Sequence, residues 1–247
     1  MIYDLAQPHY NHAPQFPGQP PNSIGYEQLA VVKGATLERC QFMTHSGSHV
    51  DAPFHYIPHL ACIHELPLAH FYGPCIALDL QPLEPSHPIS ASDLRKHEGQ
   101  ITEGTFVLLK TGWGDKRGNP KEFLTSWPYM SGEGAEYLLE RGVKGMGIDA
   151  LSTGGYPGEH AESDAHKVLL GASKLLLEDI RIPDELLDGH RRHFAAFPIL
   201  IANAGGAWVR PIVWDKGDLD SEQPAPEIPA VIPKSVAGII ELQRSGL

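Results

Sequence analysis

The 247-residue chain is 42% hydrophobic and 20% charged. That is enough apolar material for a buried core in one large domain or two small ones, and it excludes a chain that is disordered throughout. The 19 basic and 30 acidic side chains leave a net charge of −11 with no basic run, which excludes a broad nucleic-acid surface.

Cys40, Cys62 and Cys75 are the three cysteines, and none sits in a CxxC pair. A disulfide framework and a structural zinc knuckle are therefore not expected, and a reducing cytoplasm fits. The first residues, MIYDLAQPHYNH, carry neither a basic n-region nor an apolar h-region. No apolar run approaches the roughly 20 residues that span a bilayer. The expectation is a cytoplasmic protein that acts away from membranes.

Along the chain, residues 8 to 22 hold five prolines, in a segment containing PQFPGQPP. This predicts an ordered loop or extended arm. THSGSHVDAPFHYIPH follows at residues 44 to 59. Apolar runs that predict strands are CIALDL (75–80), TFVLLK (105–110), KGMGID (144–149), FPILIA (197–202) and WVRPIVW (208–214). Their continuity suits strands buried on both faces. SGEGAEYLLERG (131–142) predicts a helix with Ser131 as N-cap, Leu138 and Leu139 toward a core, and Gly142 at its end. SDAHKVLLGASK (163–174) predicts a second helix, and LLL before Glu178 predicts a buried strand. Strands alternating with helices give an α/β domain over residues 1–215. Residues 216–247 hold four prolines between 224 and 233 and read as a C-terminal arm.

The histidine-rich stretch has the spacing His45-x3-His49-x-Asp51-x3-His55. Gly47, two serines and Pro53 disfavour a helix. In an extended segment His49 and Asp51, two residues apart, point to one side. Gly47 allows a turn that brings His45 to the same point. Imidazole and carboxylate together suit a divalent ion such as Zn²⁺ or Mn²⁺, and three protein ligands leave room for water. The alternative is a solvated surface loop, and the inclusion of Asp51 favours the metal. His59, His64 and His70 do not continue the spacing. Further ligands are sought in His166, in the first turn of its helix, and Glu178, whose place at the end of a buried strand is costly unless it is paired or metal-bound. His160 lies just upstream. Asp149 occupies a similar strand end and can instead accept hydrogen bonds from backbone amides.

HSGSHVDAPFH (45–55) resembles HxGTHxDxPxH, the hallmark of the metal-dependent cyclase-like hydrolases, which include bacterial kynurenine formamidase and isatin hydrolase. Ser48 stands where threonine is usual. FPGQP, LLKTGW (108–113), GIDALS (147–152) and AHKVLLGASKLLLE (165–178) resemble further family segments in the right order, so the likeness runs over about residues 1 to 214. Family members usually carry an acidic residue after the proline-glycine, where this chain has Gln19.

The resemblance implies a swivelling β/β/α fold with a mixed central sheet. It implies a metal-dependent amidohydrolase that cleaves a C–N bond of an amide, formamide or cyclic imide or lactam by metal-bound hydroxide. His45, His49 and Asp51 would hold one ion; Asp51, His166 and Glu178 would hold a second, with one or two ions per subunit. His55 would be the acid/base. Phe16 and Trp113 are candidates to stack on an aromatic substrate, although core packing is the alternative for Trp113. A homodimer or higher homo-oligomer is implied. A lactone, ester or carbamate hydrolase on the same metal site, or a non-enzymatic metal-binding protein, are the alternatives.

Overall fold

The computed structural model describes residues 1–118, 120–156 and 164–215. The expected arm, residues 216–247, and His160 lie outside these. The strands are β1 (Ile2–Asp4), β2 (Ser23–Gln28), β3 (Leu37–Gln41), β4 (His49–Asp51), β5 (Tyr72–Asp79), β6 (Pro88–Ile89), β7 (Phe106–Lys110), β8 (Tyr129–Met130), β9 (Gly145–Ile148), β10 (Leu175–Glu178), β11 (Arg192–Ala195), β12 (Gly206–Trp208) and β13 (Ile212–Trp214). The helices are α1 (Ala30–Lys33), α2 (Ala91–Arg95), α3 (Pro120–Thr125), α4 (Gly132–Glu140) and α5 (Asp164–Gly171).

Nine strands form one mixed sheet in the order β1-β13-β11-β5-β7-β9-β10-β4-β12. Its middle, β5-β7-β9-β10, is parallel. Parallel strands covered on both faces read as unbroken apolar runs, and every residue of β7, β9 and β10 is buried. Alternate side chains divide the core in two. Val107, Leu109, Met146, Ile148 and Leu176 pack with α4 and α5 on one face. Phe106, Leu108, Leu175 and Leu177 pack on the other with Phe71, Phe194 and Val213.

The helices follow local chemistry. Ser131 caps α4, its Oγ accepting from the Gly134 amide at 3.1 Å. Past its end Gly142 takes φ 70°, the left-handed geometry that glycine enters at little cost. Leu138 is buried as expected, while Leu139 is only partly so. On α5, Ala165, His166, Leu169 and Leu170 form the buried stripe, a helical i, i+3, i+4 face.

Two expected strands differ. FPILIA is not a strand: the strand lies earlier, at β11, and Pro198 makes only an isolated bridge with Val209. Pro198 has no N–H to extend a ladder, and Phe197, Ile199 and Leu200 are exposed. WVRPIVW divides into β12 and β13, which join different parts of the sheet. Pro211 separates them, and its carbonyl accepts from the Leu5 amide at 2.9 Å.

Candidate active site

Strand register assembles the site. Glu178 lies directly across from His49 in the antiparallel β10–β4 pair, with Leu176 across from Asp51. Residues directly opposite share a face, as do residues two apart. His49, Asp51 and Glu178 therefore converge on the helix-covered side, while Val50 and Leu177 point into the other core. On the far side of β4, Gly206 lies across from Asp51. A Cβ on Gly206 would sit 2.6 Å from His45 Cε1 and 2.8 Å from the Val50 carbonyl oxygen, so the missing side chain makes room for His45. Gly47, at φ 61°, makes the turn between His45 and His49, and a Cβ there would meet the His9 ring at 2.6 Å.

The distances describe one tight cluster. His45 Nδ1 lies 2.7 Å from Asp51 Oδ1, and His49 Nε2 lies 3.4 Å from both Asp51 Oδ1 and Glu178 Oε2. His166 Nε2, carried in by α5, lies 3.0 Å from Glu178 Oε1 and 3.7 Å from Asp51 Oδ2. The other nitrogen of His49, Nδ1, lies 2.8 Å from the Gly47 carbonyl oxygen. That contact makes Nδ1 the donor, so Nε2 is the nitrogen that faces the carboxylates. Glu178 Oε1 also accepts from the Thr153 amide at 2.5 Å and from Ser152 Oγ at 3.3 Å.

All of these groups except His45 are deeply buried: His49, Asp51, His166 and Glu178 are 0–4% exposed. Burial pulls the His49 pKa down, but the negative charges of Asp51 and Glu178, each 3.4 Å from Nε2, outweigh it and hold it well above the usual range. Burial raises Asp51, yet the charge and hydrogen bond of His45, joined by His49, hold it well below the usual carboxylate range. Burial and the charge of Asp51 raise Glu178, but His166 and His49 bring it to about 2. The carboxylates are thus kept anionic among imidazoles. His49 Nε2 and Asp51 Oδ2 nevertheless have no hydrogen-bond partner. Leaving such atoms unsatisfied costs about 1–3 kcal/mol each, and more for charged groups. A divalent cation fits this donor set: His49, Asp51 and Glu178 each offer a ligand atom within 4.8 Å of the others, as do His45, Asp51 and His55.

A cleft of about 190 Å³ opens above the cluster. His45, His55, His166 and Glu178 form its floor, and Phe16, Gln19, Tyr56, Leu151 and Ser152 its walls. The His55 ring stacks on His45 with centroids 3.8 Å apart. As a residue His55 is exposed, although neighbouring protein packs around much of its ring. That burial, with the charges of His45 and His166, lowers its pKa to about 4 against the opposing pull of Asp51 and Glu178.

Phe16 lies edge-on to Trp127 at 5.7 Å, which seats the proline-rich loop at the cleft. Trp113 does not line it. Its ring is 1% exposed in the core, its Nε1 donates to the Phe123 carbonyl at 3.2 Å, and Lys116 Nζ sits 4.1 Å over it. The TGW element instead fixes Asp149, whose carboxylate accepts from the Thr111 amide and hydroxyl and the Gly112 amide at 2.5–3.0 Å.

Sequence reasoning missed Tyr56, which stacks on His166 at 4.5 Å. It also missed Ser152, Thr153 and the Gly205–Gly206 pair. Adjacent glycines before a strand were the available signal for the last. The serine and threonine gave none, because they meet Glu178 only through the β9–β10 pairing.

A family model described as "Putative cyclase" matches residues 3–154. The chain belongs to this cyclase family. Among its relatives, the kynurenine formamidase of Bacillus thuringiensis subsp. konkukian (strain 97-27) is 27% identical over 211 residues, covering 85% of this chain and 95% of the relative. Isatin hydrolase A from Labrenzia aggregata, solved bound to benzyl benzoate, shares the fold with a TM-score of 0.78 at 23% identity, over 86% of this chain and 93% of that one. A predicted metal-dependent hydrolase from Bacillus stearothermophilus aligns with a TM-score of 0.70 at 26% identity, over 86% and 97%. The cyclase-family assignment agrees with the mixed α/β architecture seen here. Among the described residues, no helix is long and apolar enough to cross a membrane.

Proposed function

We propose that this chain is a metal-dependent amidohydrolase that opens the C–N bond of an amide, formamide or cyclic imide or lactam. The observation that carries the reading is the buried set His49, Asp51, His166 and Glu178 beneath a small cleft, with His49 Nε2 and Asp51 Oδ2 unpartnered. The names of the relatives, kynurenine formamidase and isatin hydrolase, point to the same class of bond.

His45, His49 and Asp51 would hold one ion, and Asp51 with His166 and Glu178 would hold a second; borderline nitrogen and oxygen donors favour Zn²⁺ or Mn²⁺. When bound, such an ion supplies Lewis acidity toward a carbonyl oxygen and lowers the pKa of water toward about 7. The protein's own groups do the rest. Phe16 and Leu151 present apolar walls that take a small, flat substrate, and about 190 Å³ limits its size. A substrate seated between those walls displaces water from the reacting bond. His55, at the cleft floor and within a stacked contact of His45, is placed to take a proton from water and deliver it to the departing nitrogen. Tyr56 and His45 flank its ring at 4.7 and 3.8 Å and hold that orientation.

The assembly is read as a homodimer or higher homo-oligomer. The β2–β3 hairpin supports this: Tyr26, Val31, Val32 and Leu37 on it are exposed, and a lone two-stranded hairpin has little stability of its own.

The test is a panel of formanilides, cyclic imides, lactams and lactones, run with Zn²⁺ and with Mn²⁺ on wild type and His55→Ala. Amide turnover that falls about a hundredfold in the variant while metal content holds supports the reading. Turnover of lactones alone, or full activity in the variant, overturns it.

A further inference from the structure

Asp179 follows Glu178 directly and has φ 49°, inside the left-handed region. Aspartate enters that region more readily than most residues, yet glycine would do so at less cost. What aspartate adds is its carboxylate, which is 1% exposed and gripped by Arg117. Arg117 Nε donates to Oδ1 at 2.9 Å and to Oδ2 at 3.2 Å, and Nη2 donates to Oδ2 at 2.9 Å. The peptide of Asp179 is tied as well. Its N–H donates to the Ala150 carbonyl at 2.8 Å, and its carbonyl accepts from Ser48 Oγ at 2.7 Å. Ser48 stands between Gly47 and His49. Ser48 Oγ in turn accepts from the Gln7 amide at 2.8 Å. Every polar atom of Asp179 is therefore engaged; Asp179 itself adjoins Glu178, and its partner Ser48 adjoins His49.

Arg117 also reaches the other way. Its Nη1 donates to Tyr10 Oη at 3.5 Å, and its guanidinium lies 5.8 Å from the Tyr10 ring centroid. Tyr10 belongs to the proline-rich loop that carries Phe16 and Gln19 to the cleft. Neither Arg117 nor Asp179 lines the cleft itself.

We propose that Arg117 and Asp179 form a positioning pair, which sets the turn behind Glu178 and fastens the proline-rich loop to it. The proposal rests on the reading of Glu178 as a metal ligand. A planar fork suits the two-oxygen contact, and a lysine cannot reproduce it. Without Arg117, a buried carboxylate is left unpaired one residue from Glu178, and the turn must relax to rehydrate it.

The experiment measures Zn²⁺ and Mn²⁺ affinity of the full chain against a chelating dye, with kcat and KM on the best substrate of the panel. It compares wild type, Arg117→Ala, Arg117→Lys and Lys110→Met. Lys110 forms a separate ion pair with Asp184 and controls for general loss of stability. Arg117→Ala is expected to bind metal ten- to a hundredfold more weakly, about the loss seen when support behind metal ligands is removed. Its KM should rise, Arg117→Lys should stay impaired, and added guanidinium should restore part of the affinity. Lys110→Met should keep wild-type metal affinity. If Arg117→Ala does not fold, the double variant R117M/D179G removes both charges and relieves the φ, and it should fold with the same loss of affinity. Wild-type affinity, kcat and KM in Arg117→Ala or in the double variant overturn the proposal, as does an equal affinity loss in Lys110→Met. A wild type with no metal affinity overturns the ligand reading, and this proposal with it.

Discussion

Replacing Gly206 with alanine adds one methyl group at a crowded point of the site. The new Cβ would lie 2.6 Å from His45 Cε1 and 2.8 Å from the Val50 carbonyl oxygen. The first contact is about 0.8 Å short of the 3.4 Å at which ordinary contact begins. The His45 ring can swing away, but Val50 is backbone of β4 and paired on both sides, to β10 and β12. Relief therefore moves either His45 off Asp51, breaking the 2.7 Å contact, or β12 off β4. Overpacking of this kind costs about 1–3 kcal/mol. In a chain of this size each kcal/mol lowers Tm by about 2–4 °C, so the variant should melt about 2–12 °C below wild type. Metal affinity should fall at least tenfold, because either relief disturbs a ligand: His45 itself, or the strand that holds His49 and Asp51. Thermal melts and dye-competition titrations measure both. A variant that matches wild type in Tm and metal affinity refutes the reasoning, since no relaxed geometry accommodates both contacts without moving a ligand or its strand.

Phe16→Ala should raise KM for aromatic amides several-fold and change Tm little, because Phe16 is partly exposed at the cleft rim; unchanged KM removes it from the substrate wall. Trp113→Phe should do the reverse. It leaves the Phe123 carbonyl without its 3.2 Å donor and opens space beside Lys116, so it should lose about 1–3 kcal/mol in denaturant melts with KM unaltered. A KM effect without a stability effect would return Trp113 to the substrate site.

Much of the site was legible in the sequence because its chemistry is packed into short segments. His49 and Asp51 are two apart on a strand, so period-two alternation alone puts them on one side. Gly47 announces the turn that lets His45 reach the same point. Glu178 was legible for a different reason, as a carboxylate at the end of an apolar run that is costly without a partner, and His166 as the histidine that could pair with it from the first turn of the preceding helix. What the sequence withheld depends on pairing between distant strands. Nothing local to residues 152 and 153 says that they meet Glu178, or that Gly206 will lie across from Asp51. Trp113 was ambiguous because a tryptophan after a turn serves equally as a wall or a plug, and only the position of Phe123 and Lys116 decides. FPILIA misled through composition: five apolar residues suggested a strand, but Pro198 denies the ladder an N–H and the segment runs along the surface. In WVRPIVW, Pro211 did the same with the opposite result, separating two genuine strands that serve different parts of the sheet.

His45, His49, Asp51, His166 and Glu178 together form the proposed site for one or two divalent cations. Elemental analysis of metal per chain, after loading with Zn²⁺ or Mn²⁺ and removal of free ion, tests this most directly on wild type, His166→Ala and Glu178→Gln. The account predicts one or two ions per wild-type chain and at least one fewer, or a sharp loss of occupancy, in both variants. A wild type that retains no divalent ion, or variants that retain as much as wild type, would contradict it.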